Sequence, residues 1–327
     1  MKYLVLAAFI PSIATAGIDA VIDEHILPAH EAFTVATEEL AIAAQADCRA
    51  EAVAPAYHEA FDAWMGVSHI SFGPIETLGL APAIAYWPDT KNSTGRHLDR
   101  LISVEDPIVE DVETFANVSV AARGFFALER LLYEEKYTGY EKGSYVCHLV
   151  QAISQDLATL AATLDAEWQD NFAQTLRTGG ASGNETYFTE REALQAVFTS
   201  VVTGLEFNKD KRLGRPLGTF ERPRPTRAEA RRSGRSLRNV TLSLIALRDL
   251  NDALTDGAAT QTQAAFDRAI THAETLDDPV FAGVADPSSR LKVEILQQAV
   301  TATGEAVRIE VGPMLGVSAG FNALDGD

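Results

Sequence analysis

The chain is short of the residues that build several kinds of protein. It has two cysteines, Cys48 and Cys147, in 327 residues, which excludes a disulfide scaffold and a zinc-ribbon framework. Basic residues are outnumbered 46 to 27, and the resulting formal charge of −19 argues against general nucleic-acid binding. After the first sixteen residues no apolar run reaches the roughly 18 residues needed to span a bilayer. Convincing alternating strand patterns are absent too. The seven histidines, His25, His30, His58, His69, His97, His148 and His272, form no cluster at metal-ligand spacing.

What is present begins with MKYLVLAAFIPSIATA. Lys2, an apolar stretch and the small residues Ala14-Thr15-Ala16 read as a secretory signal cleaved after Ala16, with residues 1–16 removed. No cysteine follows the apolar run, so a lipid anchor at that point is not expected. The mature chain is expected to be exported and free of transmembrane segments. In an oxidising compartment, two distant cysteines suggest a Cys48–Cys147 bridge, the alternative being two buried thiols.

The hydrophobic periodicity is helical nearly throughout. Val146, Val150, Ile153, Leu157, Leu160, Leu164 and Trp168 lie on one stripe. Leu194, Val197, Val201 and Leu205 repeat it, as do Leu237, Val240, Leu244, Leu247 and Leu254. Helices are expected near 18–46, 50–66, 108–138 and 143–172, then near 189–208, 227–255, 259–275 and 288–309. The Gly-rich 177–186 separates the sets, which gives an all-α protein of two tandem four-helix bundles, 17–176 and 187–327. Segment 67–91 breaks the rhythm as a long irregular excursion, a kind of loop often used for function. Segment 209–238 holds eleven Lys or Arg and three acids. It is either a solvated linker or a source of arginines for an anionic ligand or for the acidic first half.

Two motifs fail on context. GVSAG (316–320) fits a serine-hydrolase elbow, but no His follows it. HEAFD (58–62) places His58 and Asp62 on one helix face, yet it lacks the second His of a zinc-protease helix and reads better as a solvated face. More informative are YWPDTKNSTGRHLDRLI (86–102), where Trp87 and Asp89 form either a rigid turn or a pocket wall, and RGFFALERLLYEE (123–135). There Phe126 and Glu129 are neighbours on a helix, and Gly124 suggests close approach of another backbone. Glu129 on an apolar stripe needs a partner.

These two stretches, with AWMGVSHISFGPIE (63–76), TGLEFNKDKRLGRPLG (203–218) and LGVSAGFNALDGD (315–327), resemble the imelysin-like proteins, in the branch described as predicted periplasmic lipoproteins. The resemblance implies two helical bundles related by duplication, a periplasmic location, and a link to iron uptake through a membrane uptake component. The family's Gly-x-His-x-x-Glu motif falls on Gly124, Phe126 and Glu129, so Phe126 stands where the motif has His. A phenyl ring neither ligates metal nor takes a proton. Peptidase chemistry, for which the family was first named, is therefore not expected. The expected function is non-catalytic binding of iron, another divalent metal or a small anionic chelate. Glu129 and His69 are the candidate metal ligands, and Trp87, Asp89, Arg123 and Arg215 are candidates to line the site. A helical interaction module is the alternative.

Overall fold

The computed structural model describes residues 13–318. Most of the expected export signal and the end of the 315–327 match lie outside them. The described residues contain no β-strand, only an isolated bridge between Thr219 and Arg222. Nine principal helices run in the order α1 (13–46), α2 (Ala50–Val67), α3 (Ser93–Val104), α4 (Gly124–Tyr133), α5 (145–177), α6 (190–217), α7 (Ser236–Thr255), α8 (Thr260–Glu274) and α9 (287–315). The expected helix at 108–138 is shorter. Residues 107–122 form brief turns of helix, and α4 starts only at Gly124. The expected helix at 227–255 likewise begins at Ser236, because Ala230 (φ 44°) and Gly234 (φ 75°) take left-handed conformations that no helix accommodates.

The C-terminal part of α1 packs with α2, α4 and α5 into one four-helix bundle, and α6, α7, α8 and α9 form another. The division between cores does not fall at 177–186. Ile18, Val21, Ile22 and Ile26 at the start of α1, and Trp168, Ala173 and Leu176 at the end of α5, are buried in the second core. Phe33 and Leu40 of α1, and Ile153 and Leu157 of α5, belong to the first. Two helices therefore run through both cores.

Four helices contain a π-turn, at Val21–Ile26, Trp168–Phe172, Phe207–Leu213 and Val307–Val311. Sequence accounts for three. Pro28, Pro216 and Pro313 lack an N–H, and each ring crowds the carbonyl four residues earlier, at Glu24, Arg212 and Ile309. Each of those carbonyls lies inside a π-turn, where the wider ladder accommodates the misfit without ending the helix.

In the first bundle Cys48 and Cys147 are bridged, with Cα atoms 5.3 Å apart and 99 residues of sequence separation. This agrees with the disulfide expectation. Closing a loop of that size contributes about 4–5 kcal/mol in the chain-entropy model. Arg123 at the N-cap of α4 bonds Asp156 of α5 through Nε and Nη2 at 2.8 and 2.7 Å, and its Nη1 donates to the Ala116 carbonyl. Both side chains are buried. Asp156→Ala strands that guanidinium and is expected to cost about 3–5 kcal/mol in urea unfolding. Replacing the pair together (Arg123→Met with Asp156→Leu) should cost less.

Candidate functional site

The irregular excursion places the first wall of the site. It passes through helical turns at Pro74–Thr77 and Ala81–Ile84, then a cis peptide between Trp87 and Pro88. It lies hard against the start of α4. A Cβ on Gly124 would sit 2.2 Å from the Ile84 carbonyl oxygen and 2.3 Å from that of Ala83, and Gly124 has φ 70°. Only glycine fits on both counts. The close approach expected at Gly124 is thus present, at the helix start rather than in its interior. It brings the Trp87 ring beside Phe126, nearly parallel at 6.4 Å, while Phe61 meets Phe126 edge-on at 5.7 Å.

Asp89 then caps α3. Its carboxylate accepts from the Ser93 and Thr94 N–H groups at 2.8 and 2.9 Å, so the cap comes from Asp89 rather than from Asn92 or Ser93. Burial works to raise the Asp89 pKa, but these bonds, the Thr94 hydroxyl and the nearby Arg130 carry it below the usual carboxylate value.

The second wall comes from the basic segment. Residues 224–235 fold back over the first bundle, where Ala230 is buried in its core. The partner that Glu129 required is Ser233. Oε1 accepts from the Ser233 N–H at 3.0 Å and from its hydroxyl at 2.8 Å. Glu129 is 2 % exposed. Burial raises its pKa, and the Ser233 bonds and Arg232 offset this only in part.

Trp87, Asp89, Glu129 and Arg215 line a single cavity of about 150 Å³ with Phe126. Arg130, Arg227, Arg231 and Arg232 complete its charge, making five guanidinium groups against two carboxylates. Arg130 and Arg232 are held by Glu134. Arg215, Arg227 and Arg231 take part in no ion pair among the described residues. The Nε atoms of Arg215 and Arg231 are buried without a hydrogen-bond partner, and the Arg215 guanidinium lies over the Trp87 ring at 5.5 Å. Burial and Arg227 lower the Arg215 pKa.

The other two candidates lie elsewhere. Arg123 is consumed by Asp156 and does not line this cavity, because its phase on α4 points it to α5. His69 is also outside it. It lines an adjoining chamber of about 400 Å³ that shares Tyr86, Trp87 and Phe126 with the small cavity. His69 Nε2 meets His25 Nε2 at 2.9 Å, and its Nδ1 has no partner. Burial pushes the His69 pKa well below 6.5, and His25 and His30 down to about 4. Glu129 and His69 therefore do not share one ligand set. Among the described residues no three or more His, Cys, Asp or Glu side chains are grouped to hold a metal ion.

HEAFD is not a solvated face. His58 bonds the Tyr133 hydroxyl at 2.9 Å and Arg235 at 3.0 Å, while Asp62 bonds Arg235 and Arg238. The basic segment is not simply a solvated linker: Arg232, Arg235 and Arg238 pair with carboxylates of the first half, and Arg215, Arg227 and Arg231 line the cavity. Sequence reasoning selected only Arg215 from that run. Arg227, Arg231, Arg232 and Ser233 lie in a loop without periodicity, and nothing local marked which would turn inward.

A family model described as Imelysin (Peptidase_M75) matches residues 26–307. No curated protein matches the chain. Among solved structures, an imelysin-like protein from Psychrobacter arcticum 273-4 superposes with a TM-score of 0.79 at 19 % identity, over 97 % of this chain and 100 % of that one. A protein described as an iron-regulated protein A precursor, from Parabacteroides distasonis ATCC 8503, gives a TM-score of 0.72 at 13 % identity, over 92 % and 96 % of the two chains. At such identities the likeness is one of fold.

Two pH effects of opposite sign follow. His25 and His30 are neutral in the fold down to about pH 4 but protonate near 6.5 when unfolded. Their contribution is complete above pH 6.5 and is lost as pH falls towards 4, so His30→Gln should flatten the slope of unfolding free energy in that window. Glu129 has a raised pKa, so its carboxylate weakens the fold as pH rises through its ordinary 4.5 towards the folded value. Glu129→Gln still accepts from Ser233, and is expected to melt no lower than the parent at pH 7. Ser233→Ala should lose about 1–3 kcal/mol.

Proposed function

The chain belongs to the imelysin family, and from that premise we propose that it is an exported, non-catalytic binding protein of metal acquisition, taking iron first among metals, as an anionic chelate rather than a bare ion. The carrying observation is the cavity in which Arg215, Arg227 and Arg231 lack carboxylate partners. A bare cation would meet five guanidinium groups there, with Glu129, whose Oε1 already accepts from Ser233, as its one remaining anionic donor once Asp89 is spent on its helix cap. Phe126, where the family motif has His, adds no donor. A carboxylate-bearing chelate reverses the electrostatics, since unpaired guanidinium groups bind carboxylates through charge-assisted bonds. The iron-regulated solved neighbour supports iron as the cargo. The Cys48–Cys147 bridge suits an oxidising compartment, which supports a periplasmic setting; in that setting the cargo would pass to a membrane uptake component.

A second reading, a helical interaction module, is favoured by the structural bonds that Asp89 and Glu129 already make. Calorimetric titration of the chain from Gly17 onward separates the two. Ferric citrate is expected to bind with one site, more tightly than Fe(II) alone and more weakly as salt rises. Arg215→Ala and Arg231→Ala should each lose roughly 10- to 100-fold in affinity, the worth of a charge-assisted bond. No binding of ferric citrate at tens of micromolar would overturn the chelate and favour the module.

A further inference from the structure

The chamber beside the arginine cavity has a lining of its own kind. Five of its fifteen residues are aromatic, namely Trp64, Tyr86, Trp87, Phe126 and Phe207, in a chain that is 8 % aromatic overall. Its volume of about 400 Å³ falls in the range of small-molecule pockets, which are mostly apolar with a few placed polar groups. The polar groups are of two sorts. Arg212 and Glu229 satisfy one another, with Nε to Oε2 at 2.7 Å, and Arg212 Nη1 also reaches Asn208 and Ser243. That pair is closed to a ligand. His69 is different: it is 4 % exposed and its Nδ1 has no partner. A buried ring nitrogen left unpaired is costly unless a ligand supplies the missing bond.

We infer that the chamber is a binding site for a planar hydroxylated aromatic ring, and that the ring and the anionic group in the arginine cavity belong to one ligand. The inference rests on the chelate reading above and extends it to an aromatic hydroxy-carboxylate. Trp87 and Phe126 form the wall common to both spaces, so a ring lying in the chamber projects its carboxylate past them towards Arg215. Flat aromatic walls favour a flat ring over a branched aliphatic chain through offset and edge contacts. The His69 Nδ1 is itself buried in the chamber lining, so a ring hydroxyl reaches it as neighbouring side chains shift aside. As a neutral imidazole it bonds in whichever sense its tautomer allows, set by which nitrogen carries the proton shared with His25.

Three probes divide the ligand into its parts. 3-Hydroxy-2-naphthoate carries ring, hydroxyl and carboxylate; 2-naphthol lacks the carboxylate; citrate lacks the ring. Each is titrated by calorimetry, with quenching of tryptophan fluorescence as a second readout because Trp64 and Trp87 line the chamber. Ala85 and Ala81 line the chamber and not the arginine cavity, so Ala85→Phe fills one space and spares the other. Ala81→Phe repeats the test should the first variant fold poorly by circular dichroism.

The expected result is that 3-hydroxy-2-naphthoate binds at least tenfold more tightly than 2-naphthol. Ala85→Phe weakens both by tenfold or more and leaves citrate unchanged. Arg215→Ala weakens 3-hydroxy-2-naphthoate and citrate but not 2-naphthol. Citrate binding with no response to either naphthyl probe would overturn the aromatic site and leave the chelate reading standing. Naphthyl binding indifferent to Ala85→Phe, or no gain from the carboxylate, would overturn the joined ligand. Loss of citrate binding alone would instead overturn the chelate reading.

Discussion

Arg235 is the contact on which the arrangement of the site depends. It is 1 % exposed, and it reaches from the second half of the chain to His58 and Asp62 of α2. Its guanidinium also lies over the Phe61 ring at 4.8 Å. Around it the segment from Arg224 turns through two left-handed residues, and this geometry delivers Ser233 to Glu129 and the free arginines to the cavity. A buried guanidinium is tolerated only when its donors are matched. One Nε remains unpaired here while both terminal nitrogens are engaged. One arginine thus fixes the segment in place, and others in it stay unpaired around the cavity.

The same segment shows how a helical backbone is adapted to the site without extra loops. The π-turn at Phe207–Leu213 inserts its additional residue where Pro216 disturbs the ladder, and Arg212 is thereby carried into the interior against Phe207, at 4.9 Å. Arg215 follows it on the remaining turn and lies over Trp87. One proline therefore bears on the placement of two guanidinium groups, one closed by Glu229 and one open. In the neighbouring wall, Gly124 does a comparable service by letting two carbonyls come within reach of the helix start.

Much of the architecture was legible because it rests on local signals. Period-3.6 stripes marked the long helices, the excursion after Val67 was marked by its prolines, and export favoured a bridge between Cys48 and Cys147. The failures have physical causes. Residues 108–123 carry apolar positions like a helix, but their ladder breaks into short turns, two of them capped by Asp106 and Asp111, whose carboxylates accept from the Ile108 and Glu113 N–H groups. The boundary at 177–186 was read from glycine content, which reports backbone freedom and not which core a helix end joins. Within the site, Trp87, Asp89, Glu129 and Arg215 fall around one cavity. Arg123 points to the opposite face and is held by Asp156, and His69, chosen for its place in the excursion, lines the adjoining chamber. The unpaired state of Arg227 and Arg231 is a property of what lies across from them, and no single stretch of sequence contains it.

Because α1 and α5 each run through both cores, the bundles are joined there by two continuous helices, each with a π-turn beside the crossover, and not by a loop. Swinging one bundle far from the other would require distorting both helices beside these turns, with the loss of Val21, Ile22 and Trp168 from the second core. Clamshell closure, the usual way two lobes trap a small molecule, is thus not open to this architecture.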